Sequence, residues 1–330
     1  MARYVRTQSI EHPIGSDGRV VLKVTAADVR VRGTDDDSAI MRATFEISAS
    51  SEAEADAIFE RSRMRVAAGS GALAIEESNG SSLGGVIERL FTGRGSVDVD
   101  VELEVPRGAR LVIETISGEI TAEGLRGEQR CTTTSGDLYL DDAGGTMRIE
   151  TVSGDAVIRA ERPVSARVQA ISGDLALTAP RIDALRAQTV SGDIELEGEL
   201  ARGGEFRLET VSGDVSVGLA GDASFEVRGI SSDISSDIDH RIEGRLDRRR
   251  LVVGSGEPVV IFSSMSGDLA VRRPRRAVAT GPAAVTAAEE APSPALLDED
   301  EQMAVLRALE RGEISVDEAT RRLAGDRTDA

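Results

Sequence analysis

Thr210-Val211-Ser212-Gly213-Asp214-Val215-Ser216-Val217 is one copy of a phrase that recurs through the middle of the chain. Ser-Gly-Asp, or a close variant, begins at Ser117, Ser135, Ser153, Ser172, Ser191, Ser212, Ser231 and Ser266, at spacings of 18, 18, 19, 19, 21, 19 and 35 residues. A fixed period of this length marks a solenoid or an array. The last gap is nearly twice the others, so one copy there has lost the motif or given way to a different element. After the acidic residue, apolar positions alternate: Ile120 and Ala122, Leu138 and Leu140, Leu175 and Leu177, Ile194 and Leu196, Val215 and Val217, Leu269 and Val271. On the incoming side Ile113/Thr115, Ile149/Thr151, Val168/Ala170 and Leu208/Thr210 keep the same step of two. A period of two belongs to strands with one buried face.

The residue before each motif serine is usually apolar too (Ile116, Val152, Ile171, Val190, Val211, Ile230, Met265), and this interrupts the alternation at one phase of every copy. A recurrent interruption reads as a corner, where Gly supplies backbone freedom and Ser and Asp bond neighbouring backbone groups. A second turn in each copy is marked by Gly144-Gly145, Arg162-Pro163, Pro180 or Gly203-Gly204. About nineteen residues at roughly 3.3 Å each give a path of about 60 Å, one circuit around a narrow apolar interior. An antiparallel meander would throw identical motifs to alternate edges, whereas a coil stacks each above its own copy at about 4.8 Å. The expected fold is mainly β: a parallel β-solenoid, β-helix-like, of about eight rungs, with a short N-terminal helix and a small C-terminal α-hairpin.

The Thr-Val-Ser-Gly-Asp-apolar-x-apolar phrase resembles the bacterial "putative adhesin" domain, a domain of unknown function built from β-strand repeats. The likeness runs over about residues 18 to 273, taking in Arg19-Val20-Val21-Leu22-Lys23-Val24, Ala27-Asp28-Val29-Arg30-Val31-Arg32-Gly33 and Val105-Pro106. That resemblance implies surface display.

Four segments follow. Residues 1–105 are lead-in strands and a capping helix of the same β domain. Within them Ser51 to Met64 reads as a short helix: Ser51 caps, Glu54 lies three places on, and Ala55, Ile58 and Phe59 share a face. Its expected place is over the open end of the coil. Ser81 to Gly95 reads as a loop with a helical turn. Residues 106–273 hold the repeat, and Arg241, Arg245, Arg248, Arg249 and Arg250, within the long gap, read as solvated positions on strands at the far cap. Residues 274–297, rich in Ala and Pro, read as a flexible linker. Residues 298–325 read as a helical hairpin: Asp298 and Glu301 cap the first helix, Gly312 stops it, and Ser315 and Glu318 start the second. Met303, Leu306, Leu309, Ile314 and Leu323 form its apolar interaction stripe. This hairpin is similar to those beside the same repeat in envelope-stress proteins and to the short C-terminal domain class. It is too small to bury a core alone, so a protein partner or self-association is expected.

Composition bounds the function. There are 39 Lys and Arg against 58 Asp and Glu, a net charge of −19, and only 2% aromatic residues. That balance argues against a phosphate-tracking nucleic-acid binder and removes the usual base-stacking platform. All the basic side chains except Lys23 are arginine. A single cysteine, Cys131, allows no internal disulfide. Met1 to Gln8 lacks the apolar core of a secretion signal and no stretch is long and apolar enough to span a membrane, so the expected location is cytoplasmic, with peripheral envelope association as a second setting.

His12 and His240 are the only histidines, and neither stands in a metal or triad pattern. A stacked motif aligns Glu119, Asp137, Asp155, Asp174, Asp193, Asp214, Asp233 and Asp268 in a ladder. Neighbouring charges there repel by about 1 kcal/mol in water. The carboxylates must therefore be solvated, bonded to corner amides, or matched by cations. Asp137, Asp155, Asp174, Asp193 and Asp214 are the candidates for cation binding, calcium being the fitting ion. Paired carboxylates on a β-helix would also suit glycoside cleavage, but near-identical copies offer no distinct cleft. The expected function is a non-catalytic scaffold or interaction protein, without a cofactor, in envelope stress or regulation. The alternatives are a carbohydrate-active β-helix enzyme and a calcium-binding, adhesin-like surface protein.

Overall fold

A computed structural model describes residues 2–78, 97–231, 233–245 and 248–275. The expected loop at 81–95, all but the first two residues of the expected linker (274–297) and the expected hairpin (298–325) lie outside the described residues. Met1–Arg275 form one compact unit.

In chain order the elements are β1 (Ala2–Pro13), β2 (Arg19–Lys23), β3 (Ala27–Thr34), β4 (Ser38–Ala49), α1 (Glu52–Ser62), β5 (Met64–Gly69), β6 (Ala72–Glu77), β7 (Val97–Pro106), β8 (Arg110–Ser117), β9 (Ile120–Glu123) and β10 (Gln129–Ser135). There follow β11 (Leu138–Ser153), β12 (Ala156–Ser172), β13 (Leu175–Ser191), β14 (Ile194–Leu200), β15 (Phe206–Ser212), β16 (Val215–Leu219), β17 (Ala223–Ser231), β18 (Ile234–Ser236), β19 (His240–Arg245), β20 (Arg248–Val253), β21 (Val259–Ser266) and β22 (Leu269–Arg272).

The fold is a parallel β-solenoid with two walls. Strands ending in the motif serine stack in parallel on the first wall, and strands following the motif stack on the second. Ser117, Ser135, Ser153, Ser172, Ser191 and Ser212 are register partners rung to rung. Apart from Ala170, which is half-buried, the alternating apolar positions named above are buried between the walls, and each Val, Leu or Ile side chain among them contributes about 1.5–3 kcal/mol. Thr115, Thr133, Thr151, Thr189 and Thr210 are buried as well. Valine, isoleucine, leucine and alanine supply nearly all of this core, which is why the chain needs so few rings.

In the three middle rungs the second turn is not a break. β11, β12 and β13 run continuously from the second wall of one rung to the first wall of the next. Their pairing slips at Leu140/Ala143, Ala143/Gly145, Arg159/Val164 and Thr178/Arg181 instead. Gly and Pro at this corner make bulges, which bend a strand without ending it.

At both ends, spatial order departs from chain order. β2 pairs with β6 on one side and β8 on the other, and β3 lies between β7 and β9. The chain therefore lays down β2–β3, travels outward, and returns to continue at β8. At the far end β21 sits between β15 and β17, and β22 between β16 and β18. Ser266 is thus the neighbour of both Ser212 and Ser231. The 35-residue gap holds an antiparallel pair, β19–β20, with β20 also pairing β17. Here Arg241 pairs with Glu243, Arg249 lies 3.9 Å from Asp233, and Arg250 donates to Ser224 Oγ, while Leu251 is buried.

Antiparallel strands close the near end also: β5 on β6, and β1 on β4 on β7. The helix α1 joins β4 to β5 and packs Phe59 edge-on against Phe45, ring centres 5.2 Å apart, with Ala55 buried. Ser51 accepts the Glu54 amide at 3.2 Å, and Glu54 takes the backbone amide of Ser50 at 2.8 Å, one residue earlier than a standard capping box requires. Hydrogen bonds from Ser50 lower the Glu54 pKa.

Candidate interaction face

The motif corner is locked by backbone geometry. Gly154 has φ of +128° and Gly192 of +140°. A Cβ on Gly192 would overlap the carbonyl oxygen of Gly173 one rung away, so a side chain is excluded by both conformation and space. The same approach repeats at Gly136, Gly154, Gly173 and Gly213.

Beside each glycine the aspartates form a ladder of side chain to main chain. Asp137 Oδ1 accepts the amide of Asp155 at 2.9 Å, and Asp155, Asp174 and Asp193 each accept the amide of the next motif acid at 2.8 Å. Asp214 accepts from Asp268, and Asp268 from Asp233, both at 2.8 Å. Asp28 extends the ladder backwards by accepting the amide of Glu119 at 3.0 Å. Each carboxylate bonds the neighbouring rung rather than its own turn, so the ladder ties rungs together. Among the described residues no three His, Cys, Asp or Glu side chains are grouped to hold a metal ion.

The aspartate column has an electrostatic effect on Tyr139, whose phenol pKa is raised, first by the charge of Asp137 and then by desolvation, Glu119 and Asp155. Burial pushes the Cys131 thiol up to about 12, far from thiolate reactivity. His12 lies 2.7 Å from the Gly69 carbonyl, and His240 Nδ1 lies 2.8 Å from that of Ile238.

Next to the aspartates stands an apolar ridge. Ile116, Val152, Ile171, Val190, Val211 and Met265 occupy equivalent places and are between 39% and 58% exposed. Thr134 interrupts the row. On the far side of the ridge lies a polar column of Glu114, Thr132, Glu150, Gln169, Gln188 and Glu209, joined in register. Gln169 Nε2 donates to Gln188 at 2.9 Å, and Gln188 donates to Glu209. An open groove lies between ridge and column, lined by Gln169, Ile171, Gln188, Val190, Glu209 and Val211 among others. The ridge is therefore an aliphatic strip bordered on one side by the aspartates and on the other by a mixed column in which neutral Thr132, Gln169 and Gln188 stand among Glu114, Glu150 and Glu209.

The apolar residue before each serine was expected only as a sign of the corner. Its sequence signal, a bulky aliphatic at a fixed offset, was present, but whether it points in or out is decided by where the strand ends. The interaction residues expected in the hairpin (Met303, Leu306, Leu309, Ile314, Leu323) lie outside the described residues.

No curated protein matches the chain. Among solved structures it is similar to a "putative adhesin" from Bacteroides fragilis NCTC 9343, at 11% identity over 81% of this chain and 97% of the other, with a TM-score of 0.39. It is also similar to a "putative lipid binding protein" from Parabacteroides distasonis ATCC 8503 (13% identity, 80% and 96% covered, TM-score 0.33). A third is a "putative cell adhesion protein" from Clostridium sporogenes ATCC 15579 (8% identity, 82% and 100% covered, TM-score 0.24). The Toastrack DUF4097 family matches residues 18–272, the stretch that carries the stacked serines, the glycine corner and the return strands at both ends. The chain belongs to the Toastrack DUF4097 family.

Proposed function

We propose that this protein is a non-catalytic interaction scaffold whose working surface is the aliphatic ridge, and that its partner presents a basic amphipathic helix. The observation that carries this reading is the row of exposed Ile116, Val152, Ile171, Val190, Val211 and Met265 between the aspartate column and a polar Glu/Gln column. A contiguous exposed apolar strip costs solvation unless something covers it. Rungs repeat at about 4.8 Å, close to the 5.4 Å pitch of an α-helix and far from the roughly 6.6 Å between same-side residues of a strand. The aspartate column matches Lys or Arg on one flank of such a helix, and the Glu/Gln column offers hydrogen-bond acceptors to the other.

Among the described residues the groups with displaced pKa values, Arg6, Glu54, Cys131, Tyr139 and Asp222, belong to no common cleft, which supports a role without catalysis. The hairpin of 298–325, with Met303, Leu306, Leu309, Ile314 and Leu323, adds a second point of attachment or self-association. A cytoplasmic scaffold at the envelope periphery, acting in stress or regulation, fits both elements.

The test uses a synthetic 20-residue helix with a leucine face and lysine flanks, followed by fluorescence anisotropy. Wild-type protein binds it, and Ile171→Asp/Val190→Asp weakens binding by about tenfold or more without lowering Tm. A scrambled peptide of equal charge binds at least tenfold more weakly. Equal binding of both peptides, or of wild type and the ridge variant, overturns the proposal.

A further inference from the structure

On the first wall, one column further from the ridge, Arg130, Arg148, Arg167, Arg186 and Arg207 are successive register partners. Five stacked arginines, about 4.8 Å apart along the backbone, are a costly arrangement unless their charge is answered. At the two ends of the column it is. Arg148 bonds Glu150 at 2.6 Å, Arg130 lies 3.6 Å from the same carboxylate, and Arg207 pairs with Glu209 at 3.3 Å. In the middle it is not. Arg167 and Arg186 face Gln169 and Gln188, which carry no charge, and neither arginine has a carboxylate within 4.0 Å among the described residues.

The column beyond these arginines is formed by small side chains. Thr146, Ser165 and Ala184 leave a depression that Arg167 and Arg186 overlook, with Glu205 at one end. Two forked cations beside two hydroxyls make a set rich in donors, with Glu205 the one carboxylate that borders it. Guanidinium forks bind tetrahedral oxyanions in a bidentate manner, and two on adjacent strands can share one. The remaining field of a chain with net charge −19 repels anions, so any anion held here is held by local bonds.

We propose that Arg167 and Arg186, with the hydroxyls of Ser165 and Thr146, form an oxyanion site for a phosphate group. The group is either a soluble phosphate or the phosphodiester of a lipid headgroup. The sequence signal is plain once the rungs are aligned, because each arginine of the column stands five residues before a motif serine. This site is separate from the ridge, so its failure leaves the scaffold reading standing.

Two probes distinguish the sources: inorganic pyrophosphate by titration calorimetry, and phosphatidylglycerol against phosphatidylcholine vesicles by flotation, at low salt. Binding of pyrophosphate, or selective flotation with phosphatidylglycerol, is expected from the wild-type chain. Arg167→Gln/Arg186→Gln weakens the binding about tenfold or more at unchanged Tm, and Arg167→Lys/Arg186→Lys, which keeps charge but loses the forks, falls between. Arg241→Gln, at an arginine already paired with Glu243, leaves binding as it was. Binding that survives in the glutamine double variant overturns the site. So does absence of binding to either probe at about millimolar concentration.

Discussion

The middle of the coil and its two ends are built from the same strands by different rules. From β8 to β16 each rung is laid on the one before it, in chain order, with the same glycine corner and the same carboxylate-to-amide bond. At the far end the chain overshoots by one rung, makes antiparallel strands over the opening and returns to fill the vacant slot, and at the near end it lays β2–β3 first, builds outward and crosses back to β8. The difference shows how a repeat with two sticky edges is terminated. A simple stack would expose parallel edge strands, whereas a slot filled by β21–β22 or β2–β3 gives the outermost rung a partner before the antiparallel strands cap it.

Removing the keystone should break the comparison most severely. A chain truncated after residue 258 loses β21 and β22, and with them the inner partners of β17 and β18. Hydrogen exchange is expected to show protection lost throughout 223–253 while 129–191 keep theirs, since stability in a solenoid passes between neighbours. Protection retained over 223–253 would mean that the far cap folds independently of its slot.

Next in size is the contrast between the two corners. Gly192→Ala places a Cβ on the Gly173 carbonyl at a φ of +140°, and should cost on the order of 3 kcal/mol in urea unfolding. Gly203→Ala, at a φ of +79° with open space around it, should cost about 1 kcal/mol. Equal losses would show that the motif corner is no tighter than the turn between β14 and β15.

Smaller effects separate charge from bonding in the ladder. Asp174→Asn keeps an acceptor for the Asp193 amide and should be nearly neutral, whereas Asp174→Ala loses it and should cost about 1 kcal/mol. The smallest effect is electrostatic: Asp137→Asn removes the first cause of the raised Tyr139 pKa, so the phenol should ionise at lower pH in absorbance titration. An unchanged midpoint would place Asp137 too far away to act.

What the residues disclosed follows the same division. Alternation after each motif, the Ser51–Glu54 cap and the corner could be read from spacing, because each depends on residues near in sequence. The order of rungs could not. The copies carry nearly the same serine, glycine and acid, so the motif alone fits any slot equally well, and only the structure shows that Ser266, not Ser231, stands beside Ser212. The glycine corner is legible in the spacing, whereas of the three states open to the carboxylates only the structure shows the bond to the amide of the next rung. Columns such as Arg130 to Arg207 exist only after stacking, and along the chain they are isolated charges.

The most direct measurement of the stacked, interleaved order is disulfide trapping. In a background lacking Cys131, Ser212→Cys/Ser266→Cys joins register partners on adjacent strands, within the 4.4–6.8 Å Cα separation that a disulfide accepts. The pair Ser212→Cys/Ser231→Cys spans two rungs, about 9.6 Å. Rapid oxidation of the first pair and none of the second is the expected result. Cross-linking of 212 to 231, with 212 and 266 left as free thiols, would contradict it.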